Sequence, residues 1–215
     1  RDHRAHQRGL VDRARGDPAP HKPLLLLVVL EMAERGEITS PELALSADLA
    51  FRFSAFNSVI ADRHRPPLSL RMPFHHLATS GIWQPLTADG KLSPDRKLTA
   101  KVRLDPEFLS CLRDGNFRDK ARRGLIETPP YFRTEERVGL CAMLRLKPAA
   151  ADELKEGEPL YTAPVERGRD ARFRIEVVVV AYKHTCALTG YRMTTLDMES
   201  IVDAAHIHEF RDGRN

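Results

Sequence analysis

The segment Pro23-Leu24-Leu25-Leu26-Leu27-Val28-Val29-Leu30-Glu31-Met32-Ala33 constrains the fold more than any other part of the chain. It is apolar on almost every side, so as a helix it has no face to give to water and must lie buried under other elements. Pro23 suits a first-turn position, where its fixed φ fits and its missing N–H is not needed, and Gly36 suits the close. The apolar run is far short of the ~20 residues that cross a bilayer, and the arginine-rich start lacks the apolar stretch of a signal peptide, so no membrane partner is expected. With 215 residues, 42% of them hydrophobic, the chain has material for one ordinary core and a smaller second unit.

Ahead of that helix, Arg1, Arg4, Arg8, Arg13 and Arg15 with His3 and His6 are spaced for one basic face of a short helix, ended by Pro18 and Pro20. Behind it, Ser40-Pro41-Glu42 reads as a cap and helix start, and Leu49, Phe53, Phe56 and Ile60 recur at helical spacing, which predicts a second core helix. Beyond Pro66-Pro67 come strand-like pieces at 68–74 and 81–86 and a turn at Ala88-Asp89-Gly90-Lys91, the makings of a small sheet. Asp105-Pro106-Glu107-Phe108 opens a helix through Leu112, and residues 116–126 form another, carrying Arg118, Lys120, Arg122 and Arg123 before Pro129-Pro130. The expected class is α+β: a mixed helical N-terminal domain with a small sheet over 1–147. Residues 148–168, rich in Ala, Glu, Pro and Gly, read as a linker with room for one short helix, and 169–215 as a second unit.

In that second unit Phe173, Val177, Val180 and Ala181 fit an amphipathic helix, although the valines equally suit a strand. Cys186-Ala187-Leu188-Thr189-Gly190 reads as a compact turn, and Ile201-Val202-Asp203-Ala204-Ala205-His206-Ile207 alternates as a strand with His206 at its end. Together these pieces resemble the HNH endonuclease superfamily, in the subgroup whose motif reads Ala-Ala-His-Ile. The resemblance implies the start of a ββα-metal (HNH) module that cuts DNA. His206 is then the general base that takes a proton from water, and a divalent ion, Mg2+ or Mn2+, neutralises charge on the scissile phosphate. The family's asparagine and final histidine are expected beyond Asn215. Where many members carry an acidic metal ligand just before the histidine, this chain has Ala205; Asp203 is the nearby carboxylate, on the other face of an ideal strand. Three cysteines without a CxxC pair argue against a disulfide scaffold or a four-cysteine zinc site and fit a reducing cytoplasm; Cys186 reads as a small buried packing residue.

Two upstream stretches join basic groups to proline and apolar surface: Pro20-His21-Lys22-Pro23 and Arg71-Met72-Pro73-Phe74-His75-His76-Leu77. At a helix N-terminus His21 and Lys22 sit where free N–H groups and the dipole favour an anion; equally, they are solvated residues beside a capping proline. Both stretches resemble the sulfur-binding domains that precede HNH modules in type IV, McrA-type restriction endonucleases, over roughly residues 1–140. The resemblance implies a shallow apolar cavity at Met72, Pro73 and His76, with His21 and Lys22 alongside and Arg71, Phe74 and His75 around it. That cavity accepts the sulfur that replaces a phosphate oxygen in phosphorothioate-modified double-stranded DNA. Some members have tyrosine at Met72 and alanine at His76. Arg4, Arg8, Arg118, Lys120 and Arg122 are candidates for the DNA backbone, in keeping with 34 Lys and Arg against 30 acids and a net charge of +4. The expected function is a type IV restriction endonuclease; the alternatives are an HNH endonuclease that reads methylated or unmodified DNA, and a non-catalytic DNA-binding regulator. A homodimer is compatible with cutting both strands.

Overall fold

In a computed structural model, residues 19–60, 69–128, 131–149, 159–192 and 202–204 are described. The apolar segment forms α1 (His21–Glu34), in which Pro23, Leu24, Leu25, Leu27, Val28, Val29, Leu30 and Met32 are buried. It starts ahead of Pro23, which falls in the first turn, where a helix N–H has no intrahelical partner to lose. The end is as expected: Gly36, at φ 70°, donates to Ala33 O, and Glu37 donates back to Met32 O at 3.0 Å.

Ser40 does not cap a helix. Its Oγ accepts from Glu42 N at 3.1 Å in a tight turn, and the chain extends into β1 (Glu42–Ala44). The second core helix, α2 (Ala47–Val59), is capped by Ser46, whose Oγ accepts from Leu49 N, and it buries Leu49, Phe51, Phe53, Phe56 and Val59.

The strand expected at 68–74 is a helix instead, α3 (Arg71–His76), running into a 3₁₀ turn (Leu77–Ser80) that Gly81 ends at φ 76°. Leu68, Leu70, Met72 and Phe74 alternate at the strand period, but the residues actually buried, Leu70, Phe74 and Leu77, follow the helical one. The expected small sheet is present and antiparallel, in the order β1-β3-β2, with β2 (Trp83–Leu86) and β3 (Lys101–Leu104) paired Trp83 to Leu104 and β1 on β3 paired Leu43 to Val102. Gly90, at φ 85°, sits in the turn after β2, where Thr87 N donates to Lys91 O at 2.9 Å.

Asp105 and Asp114 accept from backbone N–H groups to cap α4 (Pro106–Arg113) and α5 (Gly115–Glu127). After α6 (Thr134–Leu144), the stretch read as a linker delivers most of its second half as α7 (Pro159–Arg174), which continues into a π-helix (Ile175–Ala181) where helix or strand was expected. Among the described residues this makes a mixed α+β chain of seven α-helices and one three-stranded sheet. Ala171, Ile175, Val178 and Val179 join the same core as α1 and α2. α6 and α7 touch through glycines: a Cβ on Gly139 would lie 2.7 Å from Pro164 O, and one on Gly168 would overlap Gly139 O. No helix among the described residues is long and apolar enough to cross a membrane.

One charge is enclosed by this packing. Arg52 on α2 is 0% exposed; its Nη1 donates to Glu31 of α1 and its Nη2 to both carboxylate oxygens of Glu37, at 2.9 and 2.8 Å.

Candidate nucleic-acid interface

The start of α1 lies beside α3 and its 3₁₀ extension. Lys22 Nζ donates to Thr79 Oγ1 at 3.1 Å, and Thr79 in turn donates to His76 O at 2.9 Å. The rings of His75 and His76 stand edge to face with centroids 5.1 Å apart, and His75 Nδ1 is 2.8 Å from the hydroxyl of the buried Thr99. The loop that leads to Thr99 brings Arg96, whose Nη1 reaches Met72 Sδ at 2.5 Å. Beneath, Pro73, Phe74 and Leu77 are buried, with Phe74 tilted against Trp83 at 5.7 Å. His21, Lys22, Arg71, Met72 and His75 are half-buried and His76 is exposed.

The electrostatics show the convergence. His76 is held below its ordinary pKa first by partial burial, then by the positive charges of His75, Lys22 and Arg96; partial burial alone lowers Lys22. Cations from three stretches far apart in sequence therefore face one spot over a proline, an aromatic and a thioether. An anion placed there relieves their mutual repulsion and meets donors already partly stripped of water. Arg96, Thr79 and Thr99 were not expected. The Ser93-Pro94-Asp95 turn marks a loop in the sequence, but nothing local says where its arginine lands.

The backbone candidates divide. Arg118 Nε and Arg122 Nη2 both donate to Glu34 at the end of α1, at 2.7 and 2.5 Å. Arg122 is 6% exposed, so the pair clamps α5 to α1, where a DNA contact was expected. Lys120 is exposed. Arg4, Arg8 and His206 lie outside the described residues.

Near the C-terminal end, the expected compact turn is present: Gly190 N donates to Cys186 O at 2.8 Å, Cys186 N donates to Tyr191 O at 2.9 Å, and Thr185 bridges antiparallel to Arg192. Cys186 is half-exposed where a buried residue was expected. Its thiol lies below the usual range because the Thr189 hydroxyl, then the Thr189 and Leu188 N–H groups, favour thiolate. Just before it, Lys183 and His184 take positive φ of 49° and 62°. The His184 ring is fully buried, with Nε2 2.8 Å from Asp48 Oδ1 and a T-shaped contact with Phe51 at 5.8 Å; no signal in the sequence pointed to it.

Asp203 is met by Arg174, whose Nε and Nη2 donate to its two oxygens at 2.7 and 3.0 Å while the guanidinium lies 5.5 Å over the Phe51 ring. Both oxygens are thus committed to a cation, and no trio of His, Cys, Asp or Glu among the described residues is placed to hold a metal. The described residues do not by themselves fit the expected divalent ion. Comparison with known protein families, with curated proteins and with solved structures finds no match for this chain.

Proposed function

We propose that the chain recognises phosphorothioate-modified duplex DNA through the patch formed by α1 and α3, as the recognition part of a type IV restriction endonuclease that cuts with an HNH module. The observation that carries this reading is the meeting of Lys22, His76 and Arg96 over Met72 and Pro73. Sulfur in place of a phosphate oxygen is larger, more polarizable and less strongly hydrated, so the half-buried Met72 thioether, backed by the buried Pro73, makes a fitting wall for it. The same wall offers an ordinary phosphate oxygen no hydrogen bond in exchange for its water. Lys22, His76 and Arg96 hold the remaining oxygens. Discrimination is then a difference in desolvation, with the cations supplying affinity that salt weakens.

The test is a titration of the whole chain with one duplex in three forms: phosphorothioate at a single step, unmodified, and methylated. The expected result is at least about tenfold tighter binding of the first, which Lys22→Ala weakens. Equal affinity for all three sinks the sulfur assignment, and preference for the methylated duplex replaces it with a methyl reader. Cleavage belongs to the same proposal through His206 as base. Supplied with Mg2+ or Mn2+, the protein that carries this chain is expected to cut the modified duplex, and His206→Ala to stop it; undiminished cutting by the variant refutes that role.

A pH dependence follows from the patch. His76 sits below its ordinary value in the free protein, so it is largely neutral at pH 7. A bound phosphate favours its charged form. Affinity is therefore expected to rise as pH falls through the raised value of the complex, levelling off below the depressed value of the free protein. His76→Gln should flatten that rise; an unchanged profile would assign the proton elsewhere.

A further inference from the structure

α5 and the segment after α6 form a second basic surface, away from the patch just described. Arg123 Nη1 donates to Lys147 O at 3.2 Å, which binds the two elements together. Lys120 and Lys147 are exposed and make no ion pair among the described residues. The Arg123 side chain is 46% exposed and only 3.8 Å from Glu127, a long contact. Arg145 is 73% exposed and stands 3.6 Å from Glu176, a carboxylate already taken by Arg172 at 2.9 Å. Among the described residues the acids beside these four cations are Asp119, 3.8 Å from Arg122, with Glu127 and Glu176.

The backbone adds a second observation. Arg145 closes α6 in the left-handed conformation, φ 56° and ψ 33°, a place where glycine is the usual residue. An arginine there gives up backbone comfort for a side chain at the rim of a cleft of about 530 Å³ that Arg35, Arg172 and Glu176 also line. The placement also divides the basic helix. Arg118 and Arg122, one turn apart, face α1 and are spent on Glu34, while Lys120 and Arg123 lie on the outer face.

We propose that Lys120, Arg123, Arg145 and Lys147 form a sequence-independent grip on the sugar-phosphate backbone of the same DNA duplex. This rests on the proposed DNA recognition but not on its sulfur specificity. Lys22 and Arg35 stand at opposite ends of α1, about 20 Å apart at the helical rise. That is roughly six phosphate steps along one strand of B-form DNA. The grip therefore meets the duplex outside the modified step, where it adds affinity without reading sulfur or base.

The experiment compares the whole chain with the triple variant Arg123→Gln, Arg145→Gly, Lys147→Gln on modified and unmodified duplexes over a range of salt. Arg145→Gly removes the charge while easing the backbone, so the fold is expected to hold, and thermal melting verifies it. The variant should bind both duplexes at least about tenfold more weakly at low salt, with the same ratio between them. The slope of log K against log salt should fall by about one for each cation removed. The charge-conserving triple Arg123→Lys, Arg145→Lys, Lys147→Arg should keep the slope of the original chain. An unchanged slope in the first variant overturns the proposal, as does loss of the preference for modified DNA. Tighter binding of an RNA duplex than of either DNA duplex also overturns it. If the chain shows no preference for phosphorothioate yet the slope falls as stated, the grip stands and only the sulfur reading fails.

Discussion

Gly168→Ala is expected to destabilise the chain more than the same change at any other described glycine. In an isolated helix the change would help, since alanine favours the helical state over glycine by about 1 kcal/mol. Here the new Cβ overlaps Gly139 O and lies 3.0 Å from Gly139 C and 3.1 Å from Met143 N. All three atoms are backbone of α6, so no side chain can swing aside. Either α7 lifts off α6, uncovering Ala171 and Ile175, or the last turns of α6 distort. Overpacking of this kind costs about 3 kcal/mol or more, beyond what propensity returns. At roughly 2–4 °C per kcal/mol for a chain of this size, Tm should fall by on the order of 10 °C. Gly124→Ala is the control: nothing lies within 4 Å of its Cβ on the exposed side of α5, so Tm should hold or rise slightly. Coincident melting curves for Gly168→Ala and the original chain would mean that the two helices do not meet as closely as their glycines indicate.

Arg52→Ala should be nearly as damaging, for a different reason. The guanidinium is the shared partner of Glu31 and Glu37, and its removal leaves the 13% exposed Glu31 carboxylate with Arg35 alone, beside a void in the core. Breaking a buried pair by deleting one member costs about 3–5 kcal/mol. Arg52 is itself imperfectly satisfied, because its Nε is buried without a partner. Arg52→Met combined with Glu31→Gln keeps the bulk and removes both charges and the orphan N–H. This double variant is expected to recover most of the loss, and a double-mutant cycle gives the coupling. If Arg52→Met with Glu31→Gln is no more stable than Arg52→Ala, the arginine serves through its charge and ion pairs and not through its volume.

The parts of the fold that could be read in advance are those fixed by neighbours in sequence. Leu24 to Leu30 leave α1 no exposed face; Asp105 before Pro106 caps α4 by its own side chain; Phe53 and Phe56 place α2. β1 and β3 were missed because three or four residues are too few for a pattern to declare itself, even where Lys101-Val102-Arg103-Leu104 alternates with Val102 and Leu104 buried. Leu43 becomes a strand residue by pairing with Val102, far away in the chain. In α6, Gly139 reads locally as a weak point, whereas the close approach of Pro164 requires it. The candidate site divides in the same way. Lys22 and His76 stood out because proline and apolar residues flank them, whereas Arg96 enters only because the 93–99 loop folds over Met72. In α5 the run of cations looked uniform, yet the interval from Arg118 to Arg122 is one helical turn and marks the inward face.

The position of α7 and the π-helix bears on how a chain like this can be divided or recombined. Because Ala171, Ile175 and Val178 complete the core that α1 and α2 begin, a break placed before α7 would leave the upstream part with an open apolar flank. The stem that carries the Cys186 hairpin belongs structurally to the part that carries Lys22 and His76. His184 then fastens the root of the hairpin to Asp48. A division that keeps this core whole therefore falls after that histidine. The hairpin would not swing on a tether: its root rides on α2, so it turns with the core as one piece.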